Sequence, residues 1–244
     1  NRKLIVGDCQ KPLLYNQNVS VSNGRIQASI LFSQAEDGVE LDESSLIATL
    51  GDTPVNAAYD ESTGIIDIDV SNLPNGKHSL RLWASDLSGR EAENQPLYIP
   101  IWVEDTDFSW KDGLMYFAFV DRFRNGDYGQ DNGFYAVENV AQTANYLGGD
   151  FLGIIHAMQE DYFVKMGVNT IWLSPVYENP DGAFLGAYDP NYYSGYHGYW
   201  PISPLGIESR FGDVSSASDD RLAELIDLAH QKGIRVLFDL ALNH

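Results

Sequence analysis

The chain has 244 residues, 44% of them hydrophobic and 12% aromatic, enough apolar material for a packed core and too much for global disorder. Its net charge is −20, from 35 acidic and 15 basic side chains, and so acidic a surface repels phosphate backbones and anionic lipid. Nucleic acid and membrane surfaces are therefore not expected partners, whereas neutral ligands and cations suit it. The single cysteine, Cys9, excludes an intrachain disulfide framework. No apolar run approaches the ~20 residues that span a bilayer. The chain starts at Asn1 and shows no signal peptide, which suggests a removed leader or a trimmed terminus. An extracellular or periplasmic location is favoured over the cytoplasm.

Residues 1–104 read as a β-domain. Arg25–Phe32, Ile65–Val70 and His78–Ala84 alternate apolar and polar residues, the period of half-buried strands. Leu97–Val103 is a further strand whose Pro100 predicts an edge or a bulge. Ser22-Asn-Gly24, Leu73-Pro-Asn-Gly76 and Asp86-Leu-Ser-Gly89 are turn signals between the strands. Short strands broken by such turns predict an immunoglobulin-like β-sandwich.

Residues 105–244 follow a different pattern. Leu114–Val120, Val168–Leu173 and Ile234–Phe238 are apolar runs of the kind found in parallel strands buried on both faces. Phe151–Met166, closed by Gly167, and Ser218–Gly233 are helical stretches. The second puts Leu222, Leu225, Ile226 and Ala229 on one stripe, with Ser218 and two Asp at its start and Lys232 and Gly233 at its end. Strand, helix, strand, helix, strand is the alternation of an α/β fold. The segments after the first two strands are roughly 30 and 45 residues long, well beyond ordinary connections, and they leave the strand ends where α/β folds place their sites.

The first long loop carries oxygen-bearing side chains at Asn125, Asp127 and Asp131, and Asp150 is placed to close a ring around a hard cation such as Ca²⁺. The spacing is not that of an EF-hand, and a solvated turn with Asx hydrogen bonds is the alternative. The second loop is rich in aromatics and glycines, and Tyr196-His-Gly-Tyr-Trp200 concentrates three rings, an imidazole and a glycine. Aromatic faces pack on the C–H faces of sugars while imidazoles and hydroxyls bond their oxygens; a loop with its own small core is the alternative. After the third strand, Asp239, Asn243 and His244 bring a carboxylate, a carboxamide and an imidazole to one rim. No nucleophile elbow, phosphate loop, dinucleotide fingerprint or zinc pattern occurs.

Taken in order, Phe119-Val-Asp-Arg-Phe123 with Asn125-Gly-Asp127, Gly148-Gly-Asp150, Trp172-Leu-Ser-Pro175, Tyr196-His-Gly-Tyr-Trp200, Arg210-Phe-Gly212 and Asp239-…-Asn243-His244 resemble the α-amylase family, glycoside hydrolase family 13. The resemblance runs from about Leu114 to His244. A β-domain before it looks like the cyclomaltodextrinase, neopullulanase and maltogenic-amylase branch. The resemblance implies a (β/α)₈ TIM barrel of which this chain carries about three strands, truncated after the third. It implies that Tyr199 stacks under the sugar at subsite −1, that His197 and His244 hydrogen-bond that sugar, and that Asp239 orients the site. Asn125, Asp127, Asp131, Asp150 and the Gly148 carbonyl match a calcium site, and Asn243 matches a different calcium ligand. The complete protein is then expected to be a retaining hydrolase of α-1,4-glucosidic bonds in starch, maltodextrins or cyclodextrins. Its nucleophile, acid/base and transition-state stabiliser would follow residue 244, and this chain alone would be inactive. Expected partners are an α-glucan and the C-terminal half of the barrel, whether as a separate chain or lost by truncation; the resembled branch also supports homodimers. A non-catalytic carbohydrate-binding or interaction module built on the same fold is the alternative.

Overall fold

A computed structural model describes residues 10–106, 108–131 and 133–241. The chain divides into two compact units, Asn1–Asp107 and Phe108–His244.

The first unit contains β1 (Leu13–Ser22), β2 (Arg25–Ser33), β3 (Ile47–Leu50), β4 (Thr53–Val55), β5 (Ala57–Asp60), β6 (Ile65–Val70), β7 (Gly76–Trp83) and β8 (Leu97–Val103). They form two antiparallel sheets, ordered β1-β2-β6-β5 and β4-β3-β7-β8. In chain order these are A-B-E-D and C′-C-F-G, an immunoglobulin-type arrangement of strands. Alternate residues turn inward, as the period of two requires. Ile26, Ile30 and Phe32 of β2 and Ile66 and Ile68 of β6 share one core with Leu80 and Leu82 of β7 and Ile99, Ile101 and Val103 of β8. The outward positions are polar: Ser29 donates to Asp67 at 2.6 Å, and Arg25 pairs with Asp69. Pro100 lies in β8, the outer strand of its sheet, where a strand can carry a proline.

The second unit contains β9 (Met115–Ala118), α1 (Val120–Phe123), α2 (Phe151–Gln159), α3 (Tyr162–Lys165), β10 (Thr170–Leu173), the short strands β11 (Tyr177–Glu178), β12 (Ala183–Leu185), β13 (Tyr192–Ser194) and β14 (Ser203–Ile207), then α4 (Ser218–Gln231) and β15 (Arg235–Phe238). β9, β10 and β15 form a parallel sheet in that spatial order, with Ile171 in register with Tyr116 and Val236. Each new strand is added on the same side of the last, as in barrel winding, whereas a doubly wound sheet reverses direction. Ile154, Ile155 and Met158 of α2, Ile171 of β10 and Leu222, Leu225 and Ala229 of α4 share one core.

Two expectations change. The apolar runs predicted strands buried on both faces, yet Phe117 and Trp172, register partners whose rings meet edge to face at 5.0 Å, are 42% and 39% exposed. Among the described residues, only the opposite face, with Tyr116, Ile171 and Val236, packs into the core. The single helix expected over Phe151–Met166 is broken at Asp161, which is left-handed at φ 58°. Phe151, Ile154, Ile155 and Met158 form one stripe, but in an unbroken helix Phe163 would lie about 120° away from Phe151. The break rephases the chain so that Phe163 is fully buried, and Asp161, a residue type that tolerates this backbone, pairs with Lys232.

The start of α4 also differs from its sequence reading. Ser218 is the first helical residue, and the capping position is Ala217, which offers no side-chain bond. Asp213 organises the approach instead, accepting from the backbone N–H groups of Ser215 at 2.8 Å and Ser216 at 3.0 Å and pairing with Arg221. Burial acts to raise the Asp213 carboxyl, but Arg221 and Ser215 bring it down to about 2.

Phe163→Ala is expected to destabilise the second unit by about 3–5 kcal/mol, whereas Val164→Ala on the exposed side changes stability by no more than about 0.5 kcal/mol. Denaturant titration of the complete protein measures both. Because Asp213 is held near 2 against roughly 3.9 in an unfolded chain, its contribution is full above about pH 4 and is lost as pH falls towards 2. Asp213→Asn should therefore lower Tm at neutral pH, with the gap to wild type closing between about pH 4 and pH 2 in thermal scans.

Candidate functional site

At the carboxyl end of the parallel sheet, Asp239 follows β15 and its backbone N–H donates to the Leu173 carbonyl at 3.2 Å, so the sheet still holds it one residue past the strand. Tyr199, forty residues earlier in the aromatic loop, donates its phenol proton to Asp239 Oδ2 at 2.7 Å. Partial burial and that carboxylate push the Tyr199 phenol up to about 12, so it remains a neutral donor at physiological pH. The Tyr199 backbone N–H donates to His197 Nδ1 at 2.9 Å, which places the proton of the neutral imidazole on Nε2. The His197 ring stands edge-on to Trp200, with centroids 4.9 Å apart.

Backbone contacts seat this segment. Gly198 has φ +81°, and a Cβ there would run into the Pro175 carbonyl oxygen, so only glycine allows the loop to descend onto the end of β10. Ser174, beside Pro175, accepts from the Val120 N–H at 3.0 Å, and the Arg122 guanidinium lies 4.0 Å over the Tyr196 ring. Four segments read separately in the sequence, 119–123, 172–175, 196–200 and Asp239, thus meet. Asn243 and His244 lie outside the described residues.

The acidic loop is assembled in two parts. Asn125 donates through Nδ2 to Asp131 Oδ1 at 2.6 Å, and Gly148, at φ +89°, abuts both: a Cβ there would run into the Asp131 carboxylate. The Asn125 Oδ1 is buried without a hydrogen-bond partner. Asp150 and Asp127 engage backbone instead. Asp150 caps α2 by accepting from Gly153 N–H at 2.6 Å and also takes the N–H groups of Gly126 and Asp127 at 3.0 Å; burial pushes its carboxyl up despite these bonds. Asp127 accepts from Gly129 and Val214, each at 2.8 Å. Among the described residues, no three His, Cys, Asp or Glu side chains gather as a metal cluster. Asn125, Asp131 and Gly148 are thus brought together, with the Asn125 amide nitrogen towards the Asp131 carboxylate and its buried oxygen left without a partner.

Of the groups that anchor the aromatic loop at its root, the sequence singled out only Arg210, within its motif and without a role, and missed Glu208. β11 pairs with β14, and β12 with β13. Behind them Glu208 is buried and accepts from Tyr146 Oη at 3.3 Å, Asn179 N at 3.1 Å, Arg210 N at 3.2 Å and Arg210 Nη1 at 2.9 Å. Arg210 lies over Phe134 at 4.8 Å and Tyr146 at 4.7 Å and also pairs with Asp181. Asp121, read in the sequence only as part of the 119–123 motif, is buried, accepts from Leu147 N–H at 3.1 Å and pairs with Arg122 at 3.2 Å, and burial pushes its carboxyl up to about 7. The aromatic loop divides. Phe184, Tyr193 and Trp200 line an apolar cleft of about 390 Å³ with Pro180 and Leu185, whereas Tyr188 is fully exposed.

Residues 117–244 match the family described as alpha amylase, catalytic domain. The chain is 32% identical over 139 residues to the periplasmic alpha-amylase of Escherichia coli (strain K12), covering 56% of this chain and 20% of that protein. It is 34% identical over 132 residues to the cyclomaltodextrin glucanotransferase of Geobacillus stearothermophilus, covering 54% and 17%. Among solved structures it is similar to the gamma-CGTase from Alkalophilic bacillus clarkii, at 28% identity and a TM-score of 0.45, covering 54% and 18%. The chain thus spans about a fifth of the length of these relatives. The family match takes in more than half of its residues, including His197, Tyr199 and Asp239, and the chain belongs to the α-amylase family.

Proposed function

We propose that this chain is the N-terminal part of a retaining glycoside hydrolase that cleaves α-1,4-glucosidic bonds in starch, maltodextrins or cyclodextrins. The observation that carries the reading is the Tyr199–Asp239 hydrogen bond, which puts an aromatic ring, an imidazole and a carboxylate on one surface at the carboxyl ends of parallel strands. A glucosyl ring would lay its C–H face on Tyr199, and His197 Nε2–H would donate to one of its hydroxyls. Asp239 would orient the site, with His244 as a second imidazole for the sugar. The transition state is oxocarbenium-like, and the two bond-breaking carboxyl groups of a retaining enzyme stand about 5–5.5 Å apart. In this reading those groups belong to strands that follow His244, and so does the layer that covers Phe117 and Trp172. The chain by itself would then bind weakly and not turn over. An extracellular or periplasmic location completes the proposal; among the described residues, no helix is long and apolar enough to cross a membrane.

Ca²⁺ is the proposed cofactor, held by Asn125, Asp131 and Gly148, with Asp127 and Asp150 shaping the loop around it and Asn243 as a separate candidate ligand. When bound, it would supply oxygen coordination that cross-links the loop.

In the complete protein, reducing-sugar assays on maltoheptaose and β-cyclodextrin should show turnover, with the α-anomer released first by NMR. Tyr199→Ala should lower kcat/KM by on the order of 100-fold, since a group that positions the reacting ring is removed. Titration calorimetry that shows maltoheptaose binding with no turnover would establish the non-catalytic module instead. For the cation, Ca²⁺ added to chelator-treated protein should raise Tm, with about 2.7 kcal/mol of stabilisation at a hundredfold excess over Kd. Asp131→Ala should abolish that shift; an unchanged shift removes the loop site.

A further inference from the structure

Tyr199 is one residue in an exposed loop, and its ring can serve a sugar only if the backbone on both sides of it is fixed. On its amino side the fix is Gly198 against Pro175. On its carboxyl side the Trp200 backbone N–H donates to Asn179 Oδ1 at 3.0 Å. Asn179 is 2% exposed; its Nδ2 donates to the Tyr177 carbonyl at 2.7 Å, and its backbone N–H donates to Glu208 Oε2 at 3.1 Å. Gly195 packs against it so closely that a Cβ would come within 2.9 Å of the Asn179 Cβ. Glu208 is in turn held by Arg210 and Tyr146. Among the described residues, neither Asn179 nor Glu208 bonds Tyr199 or Asp239 directly; Asn179 reaches them through the Trp200 peptide and through its packing on Gly195, whose carbonyl takes the Gly198 N–H at 2.9 Å.

We propose that Asn179, supported by Glu208, is a positioning residue for the sugar-facing surface, setting the peptide between Tyr199 and Trp200 and thereby the place of the Tyr199 ring and of its bond to Asp239. The proposal rests on the reading of Tyr199 as a substrate-contacting residue. Its energetic logic is that of a buried amide whose donor and acceptor both have partners: removing it leaves the partly buried Trp200 N–H and Tyr177 carbonyl unpaired, and the loop relaxes to repair them. A relaxation of about 1 Å at a substrate-positioning group is enough to cost on the order of 100-fold in rate.

The test is a double-mutant cycle on the complete protein, assayed on maltoheptaose. Asn179→Ala should lower kcat roughly tenfold or more while KM moves by less than about threefold, because the misplaced ring matters most in the transition state. Asn179→Asp keeps an oxygen for the Trp200 N–H but turns its other oxygen on the Tyr177 carbonyl beside Glu208, so its kcat should fall as well. The decisive measurement is the pair Asn179→Ala with Tyr199→Ala, which should be no slower than Tyr199→Ala alone, since a residue acting through Tyr199 has nothing left to position. Losses that multiply would overturn the proposal in favour of a general structural role, as would a wild-type kcat in Asn179→Ala. If Asn179→Ala does not fold, Asn179→Ser, too short to hold both partners, takes its place in the cycle. A Tyr199→Ala enzyme of wild-type kcat would instead overturn the underlying reading of the surface, and the proposal with it.

Discussion

Tyr199 reaches Asp239 because the backbone of Gly198 lies directly on the carbonyl of Pro175, and any side chain at that glycine would lift the loop off the sheet. That contact converts a long excursion between β10 and α4 into a structure with a fixed height above the strand ends. From it follow the imidazole orientation, since His197 Nδ1 takes the Tyr199 N–H, and the edge-on placement of Trp200. The close approach is also why the glycine within Tyr196–Trp200 matters as much as its rings. A bulky residue there would leave the chemistry in the sequence and remove it from the rim.

Loops of this length cannot bury a hydrophobic core of their own at every point, and this chain uses carboxylates as nodes instead. Asp121, Asp150, Glu208 and Asp213 are all buried, and each collects backbone N–H groups, an arginine or both. Burying a carboxylate costs several kcal/mol unless it is satisfied, so each node tolerates only one local backbone arrangement. The balance differs between them. At Asp213 the charge-assisted bonds to Arg221 and Ser215 outweigh burial, and the carboxyl is held at about 2. At Asp121 burial outweighs Leu147 and Arg122, and the carboxyl rises to about 7. The same residue type therefore fixes one loop as a firm anion and leaves another with a group that titrates near neutrality.

Periodicity and turn chemistry made much of this fold legible. The alternation in β2, β6 and β7 names the residues that meet in the sandwich core, and the Asn23-Gly24 turn joins β1 to β2 where the sequence signals it. Local signals failed where a distant partner decides. Phe163 is off the stripe of α2, and only the demand for its burial explains the break at Asp161. Ser218 looks like a cap, but Asp213 already organises the approach to α4 through Arg221. Of the acidic loop, the residue types were readable, but not that Asp150 and Asp127 would bond backbone while Asn125 keeps an unpaired oxygen. Asn179 and Glu208 carry no spacing signal that shows their long-range partners, Trp200 and Tyr146, which lie 21 and 62 residues away.

The charge of the chain and the charge of the rim are different matters. A net −20 disfavours anionic ligands at long range and is indifferent to a neutral glucan. At the rim itself the described groups are a neutral phenol, an imidazole whose Nδ1 acts as acceptor, and the single carboxylate of Asp239. The phenol cannot compete as a base, because ionising it beside Asp239 would set two negative charges at hydrogen-bond distance, which is part of why it titrates at about 12. Asp239 in turn has one oxygen committed to Tyr199, and it gives the surface the negative potential of a single carboxylate. In the proposed reading, such a surface would steady a ring that gains positive charge, and the breaking of its bond would fall to other groups.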